Sequence, residues 1–237
     1  MTLTKSILSL SALLLALGLA REVSAQDKLA VNGGIETRVT DQYANLRGFV
    51  PSPTPSVQPI AYIQFGKDGY KLNSWFWGSY EIDPGFKKET DFGVSVSKNL
   101  TDDFKGTFAW VRYDIKRDDL NLEEVSLILD YSIHKEGDNS LNARLECTVD
   151  YTEDGDGVVV EGGFNTSISD FHVSMVLLGN NQYFIEGTEI AGIRIRADYS
   201  IKLTENLSLV SDIHHFEAIG KSFKSNNSLG FSVSYSF

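Results

Sequence analysis

The last ten residues of the chain, Ser228–Phe237 (SLGFSVSYSF), decide the fold. Along them, glycine and serine alternate with bulky apolar residues, which are Leu229, Phe231, Val233, Tyr235 and Phe237. Successive side chains of an extended strand point to opposite faces, so this period of two predicts a strand with one apolar and one small polar face. A soluble sheet would give the same pattern. The rest of the chain has to distinguish a water-covered sheet from one that faces lipid.

The N-terminus has the features of a secretory signal peptide. Lys5 precedes the short apolar run Ile7–Leu19, and Val23–Ala25 offers small residues for cleavage. This apolar run is too short for a membrane-spanning helix. The sequence therefore predicts a signal peptide over residues 1–25 and a single domain over residues 26–237.

Composition limits the classes of protein that the chain can represent. The formal net charge is −11, and an acidic chain is a poor binder of nucleic acid because phosphate contacts depend on Lys and Arg. Cys147 is the only cysteine, so no internal disulfide can form. An exported chain without disulfides needs another source of stability.

The mature sequence consists of twelve alternating segments separated by turn signals. Tight turns occupy every second connection, and the longest connections lie among the others. All prolines fall at one end of the pattern, at positions 51, 53, 55, 59 and 84. Short turns on one rim and longer loops on the other are typical of outer-membrane barrels. We therefore predict an all-β protein, a transmembrane up-and-down antiparallel β-barrel of twelve strands, whose fourth and fifth strands cover Asp91–Lys98 and Lys105–Ile115.

Aromatic residues on the apolar rows distinguish the barrel from a soluble sandwich. They fall into two belts: Phe65, Tyr70, Tyr131, Phe171, Tyr199, Tyr235 and Phe237 near the short-turn rim, and Tyr80, Tyr113 and Tyr151 near the other. Two aromatic belts around an aliphatic band are typical of a lipid-facing surface. The C-terminal phenylalanine also resembles the assembly signal of outer-membrane barrels, which implies that barrel assembly machinery binds the chain through Phe237.

Several short motifs resemble a family of small Gram-negative outer-membrane proteins described as porins. They are Asn32–Glu36, Tyr43 with Arg47–Gly48, Pro55–Pro59, and Tyr70 with Trp77–Ser79. The family pattern has a fuller aromatic run before Arg47, where this chain has Ala44–Leu46. The resemblance implies a barrel of about twelve strands that acts as a pore. It implies no catalytic residues in this chain.

The polar rows supply candidate pore-lining residues. Lumen-facing charges tune selectivity in such barrels. The residues assigned to the lumen are Glu36, Arg38, Trp75, Trp77, Trp110, Arg112, Asp114, Arg144, Glu146, Arg194, Arg196 and Asp198, with Phe108 as a further inward aromatic. With the further lumen-row residues Glu81, Glu124, Asp130, Asp150, Glu161 and Asp212, these rows hold ten carboxylates and five arginines. This excess of carboxylates favours a channel for ions or small hydrophilic solutes that weakly prefers cations.

Two other functions remain open at this stage. An outer-membrane lipid hydrolase needs a base and a hydroxyl on one face, and His172 and Ser174 have that spacing, but on the row assigned to the lumen. A plugged structural or adhesive barrel would instead fill its interior with paired arginines and carboxylates. The sequence favours a non-enzymatic channel in the cell outer membrane, without cofactor or metal, whose partners are membrane lipid and small solutes.

Overall fold

The computed structural model describes residues 29–42, 54–82, 88–115, 120–151, 157–183 and 187–237. The predicted signal peptide lies outside the described residues. The strands are β1 (Ala30–Thr40), β2 (Ser56–Lys67), β3 (Tyr70–Glu81), β4 (Lys88–Asn99), β5 (Phe104–Ile115), β6 (Leu120–Glu136), β7 (Asn139–Asp150), β8 (Val158–Ile168), β9 (Phe171–Asn181), β10 (Thr188–Lys202), β11 (Leu207–Ala218) and β12 (Asn226–Ser236).

These strands form one closed antiparallel barrel in which each strand pairs with its sequence neighbours. The last strand closes the barrel against the first, with a register that runs from Gly34 opposite Ser236 to Thr40 opposite Gly230. The backbone amide of Phe237 also donates to the carbonyl of Gly33 at 3.0 Å. The predicted fold class and strand number are confirmed.

The turns alternate in length as predicted. At one end of the barrel, two to four residues join β2 to β3, β4 to β5, β6 to β7, β8 to β9 and β10 to β11. The turn at Asp68 and Gly69 has positive φ at both residues, 52° and 79°, which matches the right-handed twist of the flanking strands. We call this the short-turn end, which is the periplasmic end in outer-membrane barrels, and the opposite end the long-loop end.

The outer surface is apolar and the inner surface is polar. On β12, 69% of Phe231 is exposed on the outside, whereas its neighbour Ser232 is 4% exposed inside. Exposed apolar residues occur on every described strand except β2, and such a surface is far larger than a water-soluble monomer carries. Exposed aromatics gather at the short-turn end, at Tyr70, Tyr131, Phe171, Tyr199, Tyr235 and Phe237. The outside of the barrel therefore fits a lipid environment.

Among the residues that the structure describes, no helix has the length and hydropathy that a membrane crossing requires.

Candidate functional site in the barrel interior

Nine of the twelve residues assigned to the lumen point into the barrel. They belong to the rows that alternate with the exposed apolar rows on β1, β3, β7 and β10. These residues are Glu36, Arg38, Trp75, Trp77, Arg144, Glu146, Arg194, Arg196 and Asp198. The interior therefore combines charged and aromatic side chains.

The other three assignments, Trp110, Arg112 and Asp114, are wrong. These residues share the outer face of β5 with Phe108, which is 56% exposed. The Trp110 indole donates to the Tyr151 hydroxyl, and the Arg112 guanidinium lies 3.6 Å from the carboxylate of Glu123 on the outer face of β6. Phe108 and Trp110 suit the apolar layer. The charged residues Arg112 and Asp114 lie near the end of β5, where a lipid-facing charge costs little free energy.

Tyr113 consequently points inward rather than joining the outer aromatic belt. Its hydroxyl donates to Oε2 of Glu124 at 3.0 Å. This contact connects β5 to β6 inside the barrel, and the prediction of Tyr113 as a belt residue is wrong.

The most buried ion pair joins β1 to β11. Arg38 donates to both carboxylate oxygens of Asp212, at 2.9 Å from Nε and 2.6 Å from Nη2, and also to Gln58 at 2.8 Å. A Cβ at Gly230 would lie 2.4 Å from Nε of Arg38, so glycine makes room for the guanidinium. His214 lies 3.2 Å from the same Asp212 carboxylate. Bidentate geometry with little solvent exposure makes this pair a rigid cross-link.

The remaining inward arginines of the described strands also have carboxylate partners. Arg194 pairs with Glu161 at 2.9 Å, between β10 and β8, and Arg144 pairs with Glu146 at 2.8 Å on β7. A longer contact of 3.4 Å joins Arg196 to Asp198. The inward arginines of the described strands therefore lie on β1, β7 and β10, which are not adjacent in the barrel.

An acidic group lies on β3, β4 and β6, and the sequence analysis missed its two members on β4. Glu89 and Asp91 of β4 are 6% and 2% exposed, and Glu124 of β6 is 2% exposed. The Glu81 carboxylate at the end of β3 is buried without a hydrogen-bond partner. Extending the inward row Ser97, Ser95 and Gly93 backwards along β4 would have identified two of them. The sequence analysis placed Glu89 in a loop because it began the fourth strand at Asp91.

A cavity of about 320 Å³ lies at mid-height in the lumen. Its lining includes Trp75, Tyr113 and Glu124 on one side and the Arg144 and Arg194 ion pairs on the other. The Trp75 indole covers Gly93, where a Cβ would lie only 2.3 Å from its ring. Glycine at this position therefore lets the indole lie flat along the wall.

An apolar cluster narrows the interior towards the long-loop end. Phe216 is fully buried and packs with Val176, Leu178 and Ala191. Phe223, from the connection between β11 and β12, lies edge-on to Phe216 with ring centroids 6.4 Å apart. The lumen is therefore more apolar at this height than in its middle.

The residues considered for catalysis are not arranged as a catalytic pair. Nδ1 of His172 is hydrogen-bonded to the Ser167 hydroxyl at 2.7 Å, at the short-turn end. Among the described residues, no group of three or more His, Cys, Asp or Glu has an arrangement that could hold a metal ion. The interior instead offers charged, aromatic and hydroxyl groups for binding.

Solved outer-membrane channels share this architecture. The KdgM porin has a TM-score of 0.57 at 14% identity, and the match covers 86% of this chain and 99% of that one. For the NanC porin the TM-score is 0.56 at 12% identity, with 85% and 98% covered. An outer-membrane channel from Pseudomonas putida F1 has a TM-score of 0.54 at 15% identity, with 88% and 95% covered. No protein-family model matches the sequence, and no curated protein is significantly similar to it.

At such low identities the similarity defines the fold and transfers no residue roles. The class of protein is a closed twelve-stranded β-barrel of the outer-membrane type, in agreement with the predicted resemblance to small porins.

Proposed function

We propose that this protein is a passive outer-membrane channel for ions or small hydrophilic solutes and that it acts without a cofactor. One observation carries the proposal: a cavity of about 320 Å³, lined by charged side chains, lies inside a barrel whose outer rows are apolar. A lipid-facing exterior around a hydrated, charged interior is the arrangement of a diffusion channel. The structural neighbours KdgM and NanC, which are described as porins, support the same function.

The channel prefers cations weakly. Arg38, Arg144, Arg194 and Arg196 each pair with a carboxylate, so their positive charges are already compensated. Glu89 and Asp91 are buried in the wall, and no basic side chain among the described residues pairs with them. Between low-dielectric walls, this excess of carboxylates attracts counter-ions, and salt screens the effect.

Reversal potentials across planar bilayers test this preference. Under a KCl gradient, we expect the protein to favour K⁺ at low salt and to lose much of that preference at high salt. The double variant Glu89→Gln, Asp91→Asn should reduce the preference without unfolding the barrel. Glu123→Gln is the matched control, because Glu123 lies on the outer face of β6 beside Arg112 and should leave the reversal potential unchanged. A reversal potential of zero at low salt, or equal effects of both variants, would contradict the proposal.

A closed structural barrel is the second candidate, and the apolar cluster around Phe216 favours it. Phe223 packs against this cluster and narrows the lumen near the long-loop end. A closed barrel would insert into bilayers without steady conductance and would not support liposome swelling by small sugars. The lipid hydrolase alternative has no comparable support, since His172 is bonded to Ser167 rather than to a serine on its own strand.

We further propose that the mature domain resides in the outer membrane after removal of residues 1–25. The barrel assembly machinery would bind the C-terminal strand, where the apolar row ends on the exposed ring of Phe237.

A further inference from the structure

Trp75 and Glu124 lie in one cross-strand row of the barrel wall. Trp75 is opposite Gly93, Gly93 is opposite Val111, and Val111 is opposite Glu124. Because Gly93 has no side chain, the indole of Trp75 covers it and is directed along the row. Trp75, Val111 and Glu124 all line the central cavity. An aromatic surface and a carboxylate therefore share one side of this cavity.

The adjacent row adds another aromatic ring and another carboxylate. Trp77 is opposite Asp91, and Asp91 is opposite Tyr113, whose hydroxyl donates to Glu124. Asp91 is 2% exposed, and its Oδ1 has no hydrogen-bond partner among the described residues. We call Trp75, Trp77, Asp91, Tyr113 and Glu124 the acidic–aromatic wall.

A neutral side chain gives independent evidence of an unfilled hydrogen-bonding site beside this wall. Ser79 is opposite Glu89 and 1% exposed, and its hydroxyl oxygen has no hydrogen-bond partner in the described part of the chain. Buried polar groups of this kind are rare in proteins unless a ligand or water completes them. The Ser79 hydroxyl and Oδ1 of Asp91 therefore indicate that a donor from outside the described residues belongs here.

The inward arginines of the described strands lie on other strands than the acidic–aromatic wall. The cavity-lining arginines, Arg144 and Arg194, lie on β7 and β10 and are bonded to Glu146 and Glu161. Lys105 on β5 lies near the short-turn end and pairs with Asp130. These arginines are thus bonded to carboxylates on β7 and β8, whereas the wall itself is built from β3, β4, β5 and β6.

We propose that the acidic–aromatic wall is a binding subsite for small organic ammonium ions. An ammonium group over an indole face is attracted by the ring quadrupole, and adjacent carboxylates add direct charge attraction. The carboxylates of the described residues lack the close grouping that a directly coordinated metal ion needs, whereas an organic cation can bridge wider gaps. This inference rests on the proposed cation-preferring channel and specifies the class of solute that it selects.

Binding of choline to the folded, detergent-solubilised protein tests the subsite. Calorimetric titration should show saturable choline binding, whereas the uncharged isostere 3,3-dimethylbutan-1-ol should bind at least about tenfold more weakly, since only the charge differs. Trp75→Leu should weaken choline binding about tenfold. Trp110→Leu is the matched control, because Trp110 lies on the outer face, and it should leave binding unchanged.

Asp91→Asn provides a second variant in case Trp75→Leu does not fold, with folding checked by heat-modifiable migration in gels. Asn keeps the shape of the side chain and removes its charge, so choline binding should weaken several-fold while Glu123→Gln, on the outer face of β6, has no effect. Equal binding of choline and its isostere, or no choline binding, would overturn the proposal. Trp75-dependent binding of glucose without choline binding would assign the aromatic surface to neutral sugars and would overturn it too.

These outcomes are separate from those of the conductance experiment. A barrel that binds choline but does not conduct contradicts only the proposed channel. A barrel that conducts K⁺ but does not bind choline contradicts only the subsite.

Discussion

Replacing Asp212 by alanine should lower the free energy of unfolding by about 3–5 kcal/mol, since it leaves a buried guanidinium without its charge partner. The side chain of Asp212 is 1% exposed and that of Arg38 is 11% exposed. After the substitution, Gln58 is the remaining neutral acceptor described for Arg38, and it cannot compensate the charge. Urea unfolding in detergent micelles, followed by tryptophan fluorescence and by gel mobility, measures the loss.

Asp198→Ala is the matched control for this substitution. Asp198 also pairs with an arginine inside the barrel, but at 3.4 Å and with its Arg196 partner 43% exposed. We expect a loss of less than about 1 kcal/mol for this solvated pair. Equal losses at Asp212 and Asp198 would show that the Arg38 cross-link contributes no more to stability than a hydrated contact.

Leu145→Arg should destabilise the barrel by about 2–4 kcal/mol, because it puts a charge on the lipid face near the middle of the membrane. Leu145 is 50% exposed on the outside and lies opposite Leu129 and Gly162 in the middle of β7. The same urea titration in lipid vesicles measures the effect.

The adjacent residue supplies the control, because Glu146 points into the lumen. Glu146→Gln should change stability by less than about 1 kcal/mol, since Arg144 is partly solvated and keeps Asp130 as a second partner at 3.6 Å. If Arg at position 145 were tolerated as well as Gln at position 146, the outer face of β7 would not be in contact with lipid.

Local patterns were sufficient to predict the barrel. The alternation in Ser228–Phe237 recurs in most strands, and turn signals such as Asp68–Gly69 set the strand ends because their backbone geometry favours tight hairpins. Since antiparallel neighbours joined by short turns pair with each other, strand order followed from chain order. Closure between β1 and β12 followed from the apolar row of the last strand.

The same pattern did not predict which row of β5 points out of the barrel. One row of this strand holds Phe108, Trp110, Arg112 and Asp114, and the other holds Tyr113 with small and aliphatic residues. Charge suggested the lumen for the first row, but charged residues near a strand end reach the membrane interface, where their cost is small. The apolar character of Phe108 and Trp110 decides the orientation.

The acidic–aromatic wall depends on cross-strand register, which a single sequence does not specify. Trp75 and Glu124 are three strands apart. They line the same cavity because the register places Gly93 and Val111 between them in one cross-strand row. Likewise, the pairing of Arg38 with Asp212 joins residues from opposite ends of the chain. Sequence patterns identified which residues face inward on most strands, while the contacts among them required the closed barrel.

Thiol accessibility in lipid vesicles tests the central claim, a water-filled lumen inside a lipid-facing wall, most directly. The native Cys147 lies on the outer row between Leu127 and Val160, which are both exposed to the outside. Its neighbour Glu146 lines the central cavity. The measurement compares the rate at which a cationic, water-soluble methanethiosulfonate modifies Cys147 in the native protein and Glu146→Cys in a Cys147→Ser background. The account predicts rapid modification at position 146 and protection at position 147; rapid modification at position 147 together with protection at position 146 would contradict it.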